Sequence, residues 1–217
     1  MKIVCVGYRA WAIDIYQNLK GELLDHEFLL QLSEADFCEH SIVAFNPDLV
    51  LFYGWSNIVP KYLVTKYNCL MLHPSPLPKY RGGSPIQNQI IQGETKSAVT
   101  IFLMREGIDN GPIAKQKELD LHGDISDIFD RIAKIGLQLT LEIIVEGLNL
   151  YDQDEEKATY FNRRKPHESE ITIDELTNQS SLYLYNKIRM LQDPYPNAFI
   201  KTIDGKKIIL KHVIIED

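Results

Sequence analysis

Residues 2–7 open the chain with a short β-branched apolar run closed by Gly7, the pattern of a buried strand. Trp11, Ile15 and Leu19 then recur every four positions, which predicts a helix over residues 9–23. Residues 26–30 and 49–53 read as further strands, and residues 60–67 as a short helix with Pro60 in its first turn. Residues 69–72 form another short apolar run, and residues 99–104 alternate as a strand does. The strongest periodicity covers residues 125–146, where Ile125, Ile128, Ile132, Ile135, Leu139 and Ile143 make one stripe. Asp124 suits its N-cap and Gly147 its end. Alternating strands and helices predict an α/β fold over residues 1–150, a mostly parallel sheet flanked by helices. Beyond that the pattern changes. Residues 151–157 are acidic and polar, a linker; Leu184, Ile188 and Leu191 mark a second helix, ended by Asp193-Pro194-Tyr195-Pro196. Residues 197–202 and 207–213 flank Asp204-Gly205, a hairpin signal. Residues 151–217 are therefore predicted to be a linker and a small α+β appendage, too small for a large core of its own.

The composition, 45% hydrophobic and 24% charged, is that of a packed globular protein. The formal net charge of −7 argues against nucleic acid or an anionic membrane as a partner, since both reward clustered Lys and Arg. Three cysteines, Cys5, Cys38 and Cys69, with no C-x-x-C pair, argue against a disulfide framework or a thiolate zinc site. The first residues turn polar too soon for a secretory signal, and no apolar run approaches the ~20 residues that span a bilayer. The expected location is the cytoplasm.

Three segments carry unusual chemistry. Residues 73–85 hold four prolines and two glycines in 13 residues, which excludes a regular helix or strand interior. This rigid loop follows an apolar run, and in open α/β sheets ligands bind beyond the carboxyl ends of strands, where His73 stands. Residues 105–112 form a second loop, fixed by Gly107, Gly111 and Pro112, that presents Asp109. Asp109 either only bonds nearby amides, as turn aspartates do, or meets His73. A meeting would give a carboxylate–imidazole pair, a general-base arrangement. Residues 53–60 form a third loop, where Gly54 and Trp55 either receive a flat heterocycle or simply pack.

At these loops the sequence resembles the formyltransferase family. The matching motifs are Met71-Leu72-His73-Pro74-Ser75-Pro76-Leu77-Pro78, then Arg81-Gly82-Gly83-Ser84-Pro85, then Gly107-Ile108-Asp109-Asn110-Gly111-Pro112, anchored over residues 49–116 with weaker likeness on either side. The segment from Arg189 to Ala198 also looks like the family's region after the catalytic domain. The resemblance implies a Rossmann-like fold and 10-formyltetrahydrofolate as formyl donor, with no metal. It implies that His73 takes a proton from an attacking amine and that Asp109 is its partner. Donor contacts would come from Tyr53, Gly54, Trp55, Ile58, Arg105, Gly107 and Ile108. Acceptor contacts would come from Ser75, Pro76, Lys79, Arg81, Gly82 and Gly83. The family's oxyanion-binding asparagine falls on Met71 here, whose thioether cannot donate a hydrogen bond. Losing such a donor can cost roughly 3 kcal/mol of transition-state stabilisation. Asn88 is the candidate replacement.

Within the family, Arg81 to Gln87 resembles sugar and aminoacyl enzymes more than glycinamide ribonucleotide enzymes. The short appendage and negative charge argue against tRNA. The expected acceptor is the amine of a nucleotide-linked amino sugar, a UDP- or dTDP-4-amino-4,6-dideoxyhexose, with Asn162-Arg163-Arg164-Lys165 either meeting its diphosphate or forming a solvated run. Two alternatives are a formyltetrahydrofolate hydrolase and a non-catalytic folate-binding module. An open edge on the C-terminal hairpin would allow a homodimer.

Overall fold

The computed structural model describes residues 1–216 of the 217-residue chain. The elements run in the order β1 (Lys2–Val6), α1 (Ala10–Glu22), β2 (Glu27–Gln31), α2 (Glu39–Phe45), β3 (Leu49–Tyr53), α3 (Lys61–Lys66), β4 (Asn68–His73), β5 (Arg81–Gly82), α4 (Pro85–Ile91), β6 (Lys96–Leu103), β7 (Ile113–Asp120) and α5 (Ile125–Glu146). They continue with β8 (Tyr160–Phe161), α6 (Ile173–Asn178), α7 (Ser181–Arg189), β9 (Ala198–Lys201) and β10 (Lys207–Leu210). The central sheet has six strands in the order β2-β1-β3-β4-β6-β7. The first four are mutually parallel, and β6 and β7 add antiparallel pairs.

Side-chain alternation explains why the strands lie between two helical layers. On one face Ile3, Cys5, Leu49, Leu51 and Tyr53 pack with α1 and α5; on the other Val4, Val6, Val50 and Phe52 pack with Ile42 of α2 and Leu63 of α3. The α5 stripe is buried at Ile125, Ile128, Ile132, Leu139 and Ile143, with Ile135 partly buried beside it. The Asp127 carboxylate accepts from the Asp124 amide at 2.9 Å and closes the first turn of α5.

Two elements escape the hydrophobic pattern. The strand β7 buries mainly its ends and carries Lys115, Gln116, Lys117 and Glu118 between them, as a sheet-edge strand can. The helix α2 buries only Ile42. The C-terminal segment has no core of its own: Ile188, Met190, Leu191 and Ala198 join the cluster beneath the main sheet. The β9–β10 hairpin forms around Asp204-Gly205, with Ile208 and Ile209 exposed on β10. No helix among the described residues is long and apolar enough to cross a membrane.

Residues 151–161 are more than a linker. Tyr151 bridges to Ile113, and β8 pairs in parallel with β5 through Arg81 and Gly82. This stretch is a strap lying across the proline-rich loop.

Candidate active site

His73 is the last residue of β4, where the chain leaves the sheet. The loop behind it is tied down at every turn. Gln89 Nε2 donates to the Pro74 carbonyl at 2.9 Å, Thr100 Oγ1 to the Ser75 carbonyl at 2.6 Å, and Ser75 Oγ to the Lys79 carbonyl at 2.8 Å. The His73 ring is 5% exposed, and its Nε2 lies 2.8 Å from the Tyr80 carbonyl. A carbonyl only accepts, so Nε2 carries the proton and the neutral ring keeps its lone pair on Nδ1. Nδ1 faces the Asp109 carboxylate at 3.6 Å. Asp109 adopts a left-handed backbone, with φ of 48°, and its Oδ2 also accepts from the Gly82 amide at 2.8 Å. A proton arriving at Nδ1 therefore lies beside a fixed carboxylate oxygen.

This pair opens into a cleft of about 970 Å³. One wall carries Gly54, Trp55 and Ile58, and another Arg105, Gly107, Ile108 and Asp109. Ile58 and Ile108 are 95% and 60% exposed, apolar groups free to cover a ring system. Trp55 is buried, and its Nε1 has no hydrogen-bond partner. Gly82 and Gly83 also line the cleft, as do Asn162, Arg163 and Arg164, just beyond the strap. Met71 lines the cleft where the resemblance calls for an asparagine.

Several expected contacts are corrected by the side-chain directions. Asn88 does not line the cleft; its Nδ2 donates to the Gly83 carbonyl at 2.9 Å and, at 3.4 Å, to that of Asn162, so its amide protons serve the loop and not an oxyanion. The Tyr53 ring points into the core, stacked on Tyr16 with its hydroxyl 3.0 Å from Thr140 Oγ1. Ser75, Pro76 and Lys79 do not line the cleft, and the Ser75 hydroxyl donates to the Lys79 carbonyl. Arg81 is fully buried and cannot touch an acceptor; its guanidinium meets Gln153, Glu155 and Tyr160. The hydrogen bonds that Arg81 donates to the Glu155 carboxylate raise the Arg81 pKa above its ordinary value against the opposing effect of burial.

Two cleft residues carried no sequence signal. Gln87 is buried at the cleft wall near the Tyr195 hydroxyl, and its Nε2 completes no hydrogen bond. Arg9 lines the mouth, with its guanidinium over the Tyr8 and Tyr195 rings at 5.3 and 5.7 Å. Both depend on where α1 and α4 end in space, which local pattern does not encode.

A histidine at the end of a parallel strand, an aspartate from the neighbouring loop and a shared cleft on a Rossmann-like sheet define a formyltransferase-type site. The chain belongs to the formyltransferase family: the family's model, described as formyl transferase, matches residues 30–144. It is 33% identical over 201 residues to the methionyl-tRNA formyltransferase of Bacillus subtilis (strain 168), an alignment covering 88% of this chain and 62% of that protein. The chain spans about three fifths of the length of the first such relatives it matches. The solved methionyl-tRNA formyltransferase from Clostridium thermocellum superposes with a TM-score of 0.87 at 31% identity, over 96% of each chain. A sugar N-formyltransferase from a Shewanella species shares the fold, with a TM-score of 0.77 at 21% identity, over 100% of this chain and 99% of that one.

Proposed function

We propose that this protein transfers a formyl group from 10-formyltetrahydrofolate to the primary amine of a nucleotide-linked amino sugar. The observation that carries the transfer reading is the His73–Asp109 pair, Nδ1 to Oδ2 3.6 Å, opening into the cleft that residues of the family motifs also line. The donor supplies a carbonyl carbon open to an amine. Exposed Ile58 and Ile108, on the two walls of the cleft, fit the apolar face of a planar ring. His73 Nδ1 takes the amine proton as the new C–N bond forms, while Tyr80 holds the opposite ring nitrogen and the tautomer fixed. Asp109 lies beside the resulting charge. His73 then returns the proton toward the departing nitrogen.

The acceptor reading rests on the cationic side of the cleft. Arg9 and Arg163 line it, and no carboxylate among the described residues pairs with either. Arg164 lines it too, with its guanidinium beside Glu168. These guanidinium groups suit a diphosphate. The 33% identity to a methionyl-tRNA formyltransferase favours a second reading, in which the same cations meet the phosphates of an aminoacyl-tRNA end. The purified protein, 10-formyltetrahydrofolate and either a panel of UDP- and dTDP-linked amino sugars or methionyl-tRNA separate the two. A sugar nucleotide heavier by one formyl group supports the first reading. Formylated methionyl-tRNA with unmodified sugars overturns it in favour of the second. Folate turnover without any formylated acceptor assigns a hydrolase instead.

A further inference from the structure

Gln153 stands in the strap, outside the stretch matched by the family model, yet its side chain reaches the back of the site. It is 9% exposed. Its Oε1 accepts from Nε and Nη2 of Arg81 at 3.1 and 2.8 Å. Its Nε2 donates to the backbone carbonyls of Asp109 at 2.8 Å and Gly111 at 2.7 Å. A guanidinium has only donors, so Arg81 dictates the orientation of the amide: oxygen toward Arg81, both N–H groups toward the loop. The other Arg81 donors are occupied by the Glu155 carboxylate at 2.7 and 2.9 Å and by Tyr160 Oη at 2.6 Å. The amide cannot turn over without leaving buried donors facing donors.

The two carbonyls that Gln153 holds flank Asn110, so both ends of the Asp109 turn are clamped. Asp109 needs such a clamp, because a non-glycine residue in the left-handed region is strained and relaxes when its surroundings allow. The neighbours of Arg81 complete the arrangement: the Tyr80 carbonyl holds His73 Nε2, and the Gly82 amide holds Asp109 Oδ2. One tripeptide thus touches both members of the pair, and Gln153 joins its side chain to the backbone of Asp109.

We infer that Gln153, oriented by Arg81, is a positioning residue that sets the approach of the Asp109 carboxylate to His73; the kinetic form of this inference rests on the formyl-transfer reading above. Gln153→Glu is the sharpest variant, since it keeps the acceptor oxygen for Arg81 and replaces the two donors to the Asp109 loop with a carboxylate oxygen that its carbonyls cannot bond. Gln153→Leu removes both sets. Asp154→Ala serves as control, because it alters the adjacent strap turn, where Asp154 accepts from the Glu156 amide, without touching the bonds of Gln153. For Gln153→Glu the expected result is a kcat lowered about 10- to 100-fold, with KM for donor and acceptor within about threefold of wild type, as a misaimed catalytic group gives. The His73 ring resonance, assigned by its loss in His73→Ala, moves in the Gln153 variants and not in Asp154→Ala. An unmoved resonance with kcat within about threefold of wild type overturns the inference, as does an equal loss of kcat in Asp154→Ala. If wild-type protein shows no turnover, the transfer reading fails by itself, and the resonance comparison still decides the positioning role.

Discussion

Gln87 and Asn88 are neighbours on α4 with opposite tasks. Asn88 spends its amide protons on the carbonyls of Gly83 and Asn162, whereas Gln87 stands buried at the cleft wall beside the Tyr195 hydroxyl, its Nε2 without a hydrogen-bond partner. A bound acceptor that completes this hydrogen bond gains about 1 kcal/mol, so Gln87→Leu is expected to raise KM for the acceptor about threefold to tenfold with little change in kcat. Steady-state kinetics at varied acceptor concentration check this, and an unchanged KM removes Gln87 from the acceptor site. Sequence singled out Asn88 and not Gln87, and a one-residue step on a helix turns a side chain by about a quarter of a circle. Which of the two faces the cleft is settled only by the packing of α4. His73 and Asp109 were legible for the opposite reason. Their loops hold so many prolines and glycines that no regular element could absorb them, and each follows an apolar run that locates the end of a strand. Arg81 misled because its partners, Gln153 and Glu155, lie more than 70 positions along the chain, in a segment whose acidic composition reads as a solvated linker.

At the scale of elements, the strap and the proline-rich loop form one unit through the β5–β8 pairing and the buried Arg81. Hydrogen bonding from Arg81 holds the Glu155 carboxyl below its ordinary range. A lowered carboxylate contributes stability that is complete above the unfolded value and is lost as pH falls through the folded one. The strap amides, residues 153–161, are therefore expected to keep their protection from hydrogen exchange at pH 6, after correction for intrinsic rates, and to lose part of it as pH falls below the ordinary carboxylate range. Glu155→Gln should reduce that protection at pH 6 and flatten its pH dependence. Equal protection across the range in both proteins contradicts this anchoring. The parallel strands β1, β3 and β4 and the helices α1 and α5 were legible as hydrophobic runs and stripes. The edge strand β7 was not, since it exposes polar residues between buried ends.

The whole molecule carries a net charge of −7, yet Arg9, Arg163 and Arg164 converge on one cleft beside His73 and Asp109. Its Rossmann-like sheet places the pair at the carboxyl end of β4, and the C-terminal segment, packed into the same core, sets Tyr195 at the cleft mouth. The central claim is that this pair moves a proton from an amine during formyl transfer. It is tested most directly by measuring tetrahydrofolate release from 10-formyltetrahydrofolate in the presence of the formylated acceptor's parent amine, for wild type and His73→Ala side by side, with folate binding measured by fluorescence quenching. The account predicts amine-dependent release by wild type and a loss of about 10²- to 10⁴-fold in His73→Ala, with folate affinity retained. Release by His73→Ala at close to the wild-type rate would contradict it.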